Sequence, residues 1–168
     1  MAKADLTAAR LREILSYDPE TGIFRWRIDV GRWGRIKAGT ITDSRNVYGH
    51  VQINIDAVPK YAHRLAWLYV YGKWPDADID HIDGNKANNA IANLRDVPRA
   101  INNQNLTKQR GSHKKEPLGV NFDKKRGRWR ASICADGKRR FLGRFKTVEE
   151  AQSAYLSAKR KYHPGCTI

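Results

Sequence analysis

A carboxylate and an imidazole stand side by side at Asp80 and His81, at the start of a stretch rich in asparagine. If both lie on a β-strand, they point to opposite faces, so one can bind a metal ion while the other handles water. Carboxylate and carboxamide oxygens suit a hard cation such as Mg²⁺ or Mn²⁺. An imidazole titrates near neutral pH and can accept a proton there. These residue types predict metal-assisted hydrolysis, although the dipeptide alone is more often a plain surface feature.

The residues after His81 provide further candidates at separated positions. Asp83 and Asn85 are expected to shape a turn with Gly84, because their side chains can bond to nearby backbone. Asn93-Leu94-Arg95 follows, and Asn102 lies in a helix that Pro98 could start. Asparagine-rich segments usually form loops, so the spacing of these elements carries the functional interpretation.

This arrangement resembles the HNH nuclease family, in the His-Asn-Asn form found among phage and intron homing endonucleases. The resemblance covers about residues 61–105, including the upstream segments 62–67 and 72–75. The matching residues are Asp80, His81, Asp83, Gly84, Asn85, Asn88, Asn89, Asn93, Leu94, Arg95 and Asn102.

The resemblance implies a ββα-metal site. Asp80 and Asn102 would hold one divalent cation, Mg²⁺ or Mn²⁺, with Asn103 and Asn105 as alternatives to Asn102. His81 would be the general base, and Asn93 would brace the loop and help to orient it. His63 is expected to be structural rather than catalytic, and His50 carries no functional signal.

The elements that must position these residues can be predicted from periodicity. Thr7 could cap a short helix, and the apolar spacing over 61–71 predicts an amphipathic helix that stops at Gly72. Residues 51–55 alternate as in a strand, and Pro59 is expected to end that hairpin. Residues 1–60 are expected to complete the nuclease domain with a small sheet.

Charge divides the chain unevenly. The protein has 168 residues, a formal net charge of +15 and 10% aromatic residues, which predicts a folded protein with an anionic partner. Residues 1–105 carry 15 basic and 12 acidic side chains, whereas residues 106–168 carry 17 and 5. This contrast predicts two modules joined by a basic linker over 106–116. Together with the resemblance, it implies a nuclease domain over 1–105 and a basic domain over 117–168.

The basic domain reads as three strands and a helix. Asp136-Gly137 is a hairpin signal, and Thr147 with Glu150 predicts a capping box. The pattern resembles the ethylene-response-factor (APETALA-type) DNA-binding domain, which implies a sheet that lies in the major groove. The implied DNA-binding residues are Asn121, Lys124, Lys125, Arg128, Arg130, Ser132, Arg139, Phe141 and Arg144.

The predicted fold class is α+β, with a ββα-metal HNH nuclease domain followed by a small three-stranded antiparallel sheet and a helix that bind DNA. The predicted function is a metal-dependent DNA endonuclease, of the homing type found in phages and mobile elements. It would act on double-stranded DNA in the bacterial cytoplasm as a monomer or dimer, without a membrane or a small-molecule cofactor beyond the metal. The alternatives are a DNA-binding regulator with an inactive nuclease motif and a nonspecific defence nuclease.

Overall fold

The structure is a computed structural model that describes residues 6–106 and 116–167. The predicted linker, 106–116, lies outside the described residues except for its two ends. The described residues form a mixed α/β chain that divides into two compact units, residues 1–98 and 99–168.

The described part of the first unit contains two α-helices, two short 3-10 helices at 32–34 and 91–93, and six strands. The strands form three two-stranded antiparallel sheets: β1 with β2, β3 with β4, and β5 with β6. In chain order the α-helices and strands are α1 (Ala8–Ile14), β1 (Leu15–Tyr17), β2 (Phe24–Trp26), β3 (Gln52–Ile55), β4 (Val58–Tyr61), α2 (Ala62–Tyr71), β5 (Asp78–His81) and β6 (Leu94–Val97).

Both predicted helix boundaries in this unit are confirmed. The Thr7 hydroxyl accepts a hydrogen bond from the backbone N–H of Arg10 at 3.2 Å, which caps α1. Helix α2 ends at Gly72, which takes the left-handed conformation with φ of +76°. The two helices bury Leu11 and Leu65 completely in one core with the strands, so α2 is held firmly where it presents His63.

The prediction that Pro59 ends the β3 hairpin is wrong. Pro59 lies inside β4 and pairs with Asn54 of β3. The turn comes earlier, at Asp56 and Ala57, whose φ angles of +51° and +62° match a type I′ hairpin turn. A proline is tolerated in β4 because, among the described strands, β4 pairs with β3 alone.

The second unit begins with a helix, continues through a three-stranded antiparallel sheet and ends with a longer helix. Its elements are α3 (Arg99–Gln104), β7 (Val120–Asp123), β8 (Arg128–Ala135), β9 (Lys138–Phe145) and α4 (Val148–Tyr162). The predicted capping box is confirmed, since Thr147 and Glu150 exchange side-chain to backbone hydrogen bonds. Ala131 and Ile133 of β8 are buried against α4, as their alternation predicts.

The end of the nuclease domain at residue 105 stays a prediction, and helix α3 falls within the second compact unit. The C-terminal residues hold it there. The side chain of Gln104 accepts a hydrogen bond from Gly165 N–H at 2.9 Å, and the carboxamide of Asn105 accepts one from the Thr167 hydroxyl at 2.6 Å. The buried Lys159 of α4 donates to the carbonyl of Leu106 at 2.6 Å. These contacts span more than fifty residues of sequence, so no local pattern could indicate them.

None of the described helices is long and apolar enough to cross a membrane.

Candidate active site and nucleic-acid face

Strand β5 carries both Asp80 and His81, and β6 pairs with it directly. Asp80 lies opposite Arg95 in the antiparallel register. The Nε and Nη2 atoms of Arg95 donate to Oδ2 of Asp80 at 2.9 and 2.7 Å. Asp80 is only 6% exposed. A buried carboxylate needs such a partner, and the short strand pairing supplies it because the two residues stand face to face.

The carboxamide of Asn89 fixes the tautomer of His81. Nε2 of His81 lies 3.2 Å from Oδ1 of Asn89, and Nδ2 of Asn89 donates to the carbonyl of Ala87 at 3.2 Å. Oδ1 is therefore an acceptor, so Nε2 of His81 carries the hydrogen. Burial lowers the pKa of His81, although the Asn89 hydrogen bond opposes that shift. A neutral ring with its hydrogen on Nε2 has its lone pair on Nδ1, which is where it can accept a proton.

Asn93 closes the loop between β5 and β6. Its Oδ1 accepts the backbone N–H of Asp83 at 3.0 Å, while its Nδ2 donates to Oδ1 of Asp83 at 3.0 Å and to the carbonyl of Asn88 at 2.9 Å. Asp83 also accepts from the backbone N–H of Asn85 at 2.8 Å, around Gly84. The Asn93 side chain thus joins the two ends of the loop that contains Asn89.

The N-terminal segment packs against the same loop. The hydroxyl of Tyr17 donates to the carbonyl of Asn89 at 2.7 Å, and the N–H of Ile91 donates to the carbonyl of Pro19 at 3.0 Å. Gly22, with φ of +73°, approaches so closely that an added Cβ would overlap the backbone of Asn89 and Ala90. Residues near the start of the first unit therefore fix the backbone that places the Asn89 carboxamide beside His81.

Two further imidazoles lie next to His81. The ring centroids of His63 and His81 are 5.2 Å apart, those of His50 and His63 are also 5.2 Å apart, and those of His50 and His81 are 5.9 Å apart. Burial lowers the pKa of His63 to about 3 and that of His50 to about 4, and the neighbouring charged groups add to both shifts. Both rings are therefore neutral at neutral pH, so the pocket around His81 holds three uncharged imidazoles.

The donor chemistry of Asp80 fits a hard divalent cation. Its carboxylate is a buried oxygen ligand adjacent to His81, although Oδ2 is shared with the Arg95 guanidinium. The three imidazoles offer nitrogen, which suits softer transition ions better than Mg²⁺. The first unit thus contains an oxygen donor and a separate nitrogen cluster around the same histidine.

The second unit exposes one face of its sheet. Residues opposite each other share a face, and the register pairs Arg130 with both Asn121 and Arg144, Ser132 with Phe141, and Cys134 with Arg139. The side chains of Arg130, Phe141 and Arg144 are exposed or only partly covered there, while α4 covers the other face.

The exposed face is strongly basic and contains an aromatic ring. The guanidiniums of Arg130 and Arg144 lie 5.5 and 5.1 Å from the centroid of Phe141, which is 52% exposed. Like charges directly opposite each other destabilise a sheet, and only Asp123, 3.7 Å from Arg144, offsets this pair among the described residues. A face of this kind is better suited to an anionic ligand than to water alone.

Comparison with known proteins identifies the family. Residues 60–104 match the HNH endonuclease family. The matched segment runs from β4 to α3. The chain is 39% identical over 102 residues to Protein 3.8 of Escherichia phage T7, an alignment that covers 60% of this chain and 83% of the phage protein. The chain belongs to the HNH endonuclease family. No solved structure matches it significantly.

The HNH match includes the four residues predicted for the nuclease site, Asp80, His81, Asn93 and Asn102, and the structure brings three of them together. Asp80, His81 and Asn93 lie in or beside one two-stranded sheet of the first unit. Asn102 lies in α3 of the second unit, so its role as a metal ligand stays a prediction.

Three residues beside Asp80 or His81, namely Asn89, Arg95 and His50, were given no specific role from the sequence. Asn89 and Arg95 were part of the recognised motif, but the motif alone does not say which side chain each one contacts. His50 lies outside the matched residues, just before β3, and only the tertiary fold brings it to His81. Its side chain therefore had no signal in the sequence.

Proposed function

We propose that this protein is a metal-dependent DNA endonuclease that uses His81 as its general base and its second unit to hold DNA. The observation that carries the proposal is the Asn89 hydrogen bond, which directs the lone pair of a buried, neutral His81 to Nδ1 within an HNH domain. The phage relative supports a role in phage biology. A homing activity is part of the proposal because the motif resembles the form found among phage and intron homing endonucleases.

His81 performs the proton transfer in this proposal. Its Nδ1 accepts a proton from a water molecule, whose oxygen then attacks the phosphorus of a phosphodiester. The bond from phosphorus to the 3′-oxygen breaks and that oxygen takes a proton from solvent water, so the products are a 5′-phosphate and a 3′-hydroxyl. Asn89 holds the ring in the tautomer that this step requires, and Asn93 holds the loop that presents Asn89.

Asp80 is the proposed ligand for Mg²⁺ or Mn²⁺, and Arg95 fixes its carboxylate in place. With a divalent cation held by Asp80, the site would gain positive charge to offset the negative charge that develops during hydrolysis. Arg95 also pairs with the buried Asp80 carboxylate when no cation is bound. This pairing lowers the free-energy cost of burying a charged group beside His81.

The basic sheet face of the second unit is the proposed DNA-binding surface. Arg130, Arg144 and Phe141 offer cationic and aromatic contacts on one face, while Lys124 and Lys125 are exposed in the turn before β8. Cations that meet phosphates supply affinity, and side chains that reach base edges supply sequence preference. In the proposal this face directs the HNH domain to its target.

A plasmid cleavage assay tests the function. Supercoiled DNA incubated with the full-length protein should be nicked or linearised with Mg²⁺ or Mn²⁺ and left intact with EDTA. End mapping should find 5′-phosphates and 3′-hydroxyls. His81→Ala protein, prepared identically, controls for contaminating nucleases. A wild-type protein that binds DNA but never cuts it with either cation would contradict the proposal and favour a regulator with an inactive motif.

A further inference from the structure

Three histidines from separate parts of the chain converge at one point of the first unit. His50 stands just before β3, His63 lies in the first turn of α2, and His81 ends β5. Each ring offers one nitrogen, and these three nitrogens lie within 4.8 Å of one another. His63 and His81 are 7% and 5% exposed, so the cluster is part of the interior and is not a group of surface side chains.

The cluster has unused ligand capacity. Nδ1 of His50 and Nδ1 of His63 are buried and form no hydrogen bond with any of the described residues. Buried polar nitrogens normally have partners, because an unpaired one costs free energy. Two such nitrogen atoms in adjacent rings could both bind the same metal ion.

We propose that His50, His63 and His81 form a binding site for a divalent transition-metal ion, of the Zn²⁺ or Co²⁺ class. Imidazole nitrogen is a preferred donor for these ions, whereas Mg²⁺ takes oxygen donors. Three protein ligands with a fourth position left for water or another ligand is a common arrangement for zinc.

A bound ion draws the rings closer together. With metal–nitrogen distances of about 2.0–2.1 Å, tetrahedral coordination places neighbouring nitrogens about 3.4 Å apart. The 4.8 Å limit therefore requires at most about 1.4 Å of closure. His50 can supply much of this movement, because it lies in a partly exposed loop next to Gly49, whose φ is +85° and whose surroundings are open.

Occupancy has a functional consequence that rests on the proposed nuclease activity. Coordination by His81 uses the imidazole that must accept a proton from water. Zn²⁺ at this site therefore inhibits cleavage supported by Mg²⁺, even when Mg²⁺ is saturating. The site is thus regulatory, and it differs in ligand chemistry from the oxygen site at Asp80.

Direct binding of Co²⁺ tests the site without reference to activity. Neither cysteine is in a disulfide and both thiols could bind the ion, so the full chain is used with Cys134→Ser and Cys166→Ser. Visible absorption should show one tetrahedral Co²⁺ per chain, displaced by one Zn²⁺. His50→Gln and His63→Gln should each weaken binding by about 100-fold or more. Removing a residue that merely hydrogen-bonds to a metal ligand already costs about 10–100-fold in affinity, and these two residues are ligands themselves. His163→Gln, in the second unit, is the matched control and should bind normally.

Thermal unfolding gives an independent measurement in case a variant folds poorly. Zn²⁺ should raise the Tm of the cysteine-free protein and of His163→Gln, but not that of His50→Gln or His63→Gln. Absence of stoichiometric binding, or equal binding by His63→Gln and His163→Gln, would overturn the site.

Cleavage assays separate this inference from the proposed function. For each protein, the rate with Mg²⁺ alone is divided by the rate with added Zn²⁺. A large ratio means that Zn²⁺ inhibits cleavage, and it is expected for the cysteine-free protein and for His163→Gln. The ratio should be close to one for His50→Gln. Zn²⁺ binding without inhibition of an active nuclease would overturn the regulatory role. Zn²⁺ binding to a protein that never cleaves DNA would leave the metal site standing and refute the proposed function instead.

Discussion

Nε2 of His81 donates to Oδ1 of Asn89 across 3.2 Å, in a pocket where both residues are almost fully buried. This single hydrogen bond determines which ring nitrogen can act as a base. Because the rest of the Asn89 carboxamide is tied to the backbone of Ala87, the orientation of His81 depends on the loop that carries Asn89.

An Asn89→Asp substitution should change the pH dependence of cleavage. Burial lowers the pKa of His81, so the ring stays in its neutral, basic form into mildly acidic solution. A carboxylate at position 89 stabilises the imidazolium and raises that pKa. The acid limb of the rate profile should therefore move to higher pH. Asn54→Asp, an exposed change on β3, serves as the control and should leave the limb in place. Equal profiles for the two variants would show that Asn89 does not tune His81.

A Gly22→Ala substitution should impair both stability and cleavage. The residue has φ of +73°, and its added Cβ meets the backbone of Asn89 and Ala90. Gly39→Ala is the matched control, since Gly39 has φ of +87° and nothing lies within 4 Å of the point that an added Cβ would occupy. Both variants incur backbone strain of about 1–2 kcal/mol, but only Gly22→Ala adds overpacking of about 1–3 kcal/mol. Chemical denaturation and cleavage rates of the two proteins would show the difference, and equal losses would contradict the packing argument.

The fold around these residues could be predicted in part. Local rules found α1, α2, the capping box at Thr147 and the alternation in β8, because each depends on neighbouring residues. They misplaced the end of the β3 hairpin. Pro59 was expected to end it, but Pro59 lies in β4, which pairs with β3 alone among the described strands.

The site was predictable to a similar extent. Asp80 and His81 stood out because of their chemistry and spacing. The contacts of Asn89 with Tyr17 and of His50 with His81 join residues far apart in the chain, and no periodicity encodes them. The contact between α3 and the C-terminal residues also joins positions far apart in the chain, so the sequence pattern did not predict it.

Acid should destabilise the first unit through His63. The pKa of His63 is about 3 in the folded protein, against an ordinary value of 6.5. Between these two pH values the unfolded chain binds a proton at His63 and the folded protein does not. The free energy of unfolding should therefore fall as the pH drops from about 6 to about 4, by up to about 1.4 kcal/mol per pH unit from this residue. Denaturation at several pH values checks this. His63→Gln should flatten the slope, and an unchanged slope in His63→Gln would contradict the assignment.

DNA affinity should depend on the sheet face of the second unit. Lys124→Gln should weaken binding to all sequences and reduce the salt slope by about one unit, whereas Arg130→Ala should relax sequence preference by about 1–3 kcal/mol. Arg160→Gln is the control, because Arg160 is exposed on α4, which packs on the opposite face. Titrations of target and scrambled duplexes at several salt concentrations distinguish these effects. Similar losses for Arg130→Ala and Arg160→Gln would place the DNA elsewhere.

Single-turnover cleavage by His81→Ala tests the central claim most directly. Loss of a general base costs about 10²–10⁴ in rate, so cleavage with saturating Mg²⁺ should fall by that factor. Duplex affinity, measured in parallel, should stay near the wild-type value because the basic face is unchanged. A His81→Ala protein that cleaves DNA at close to the wild-type rate would contradict the account.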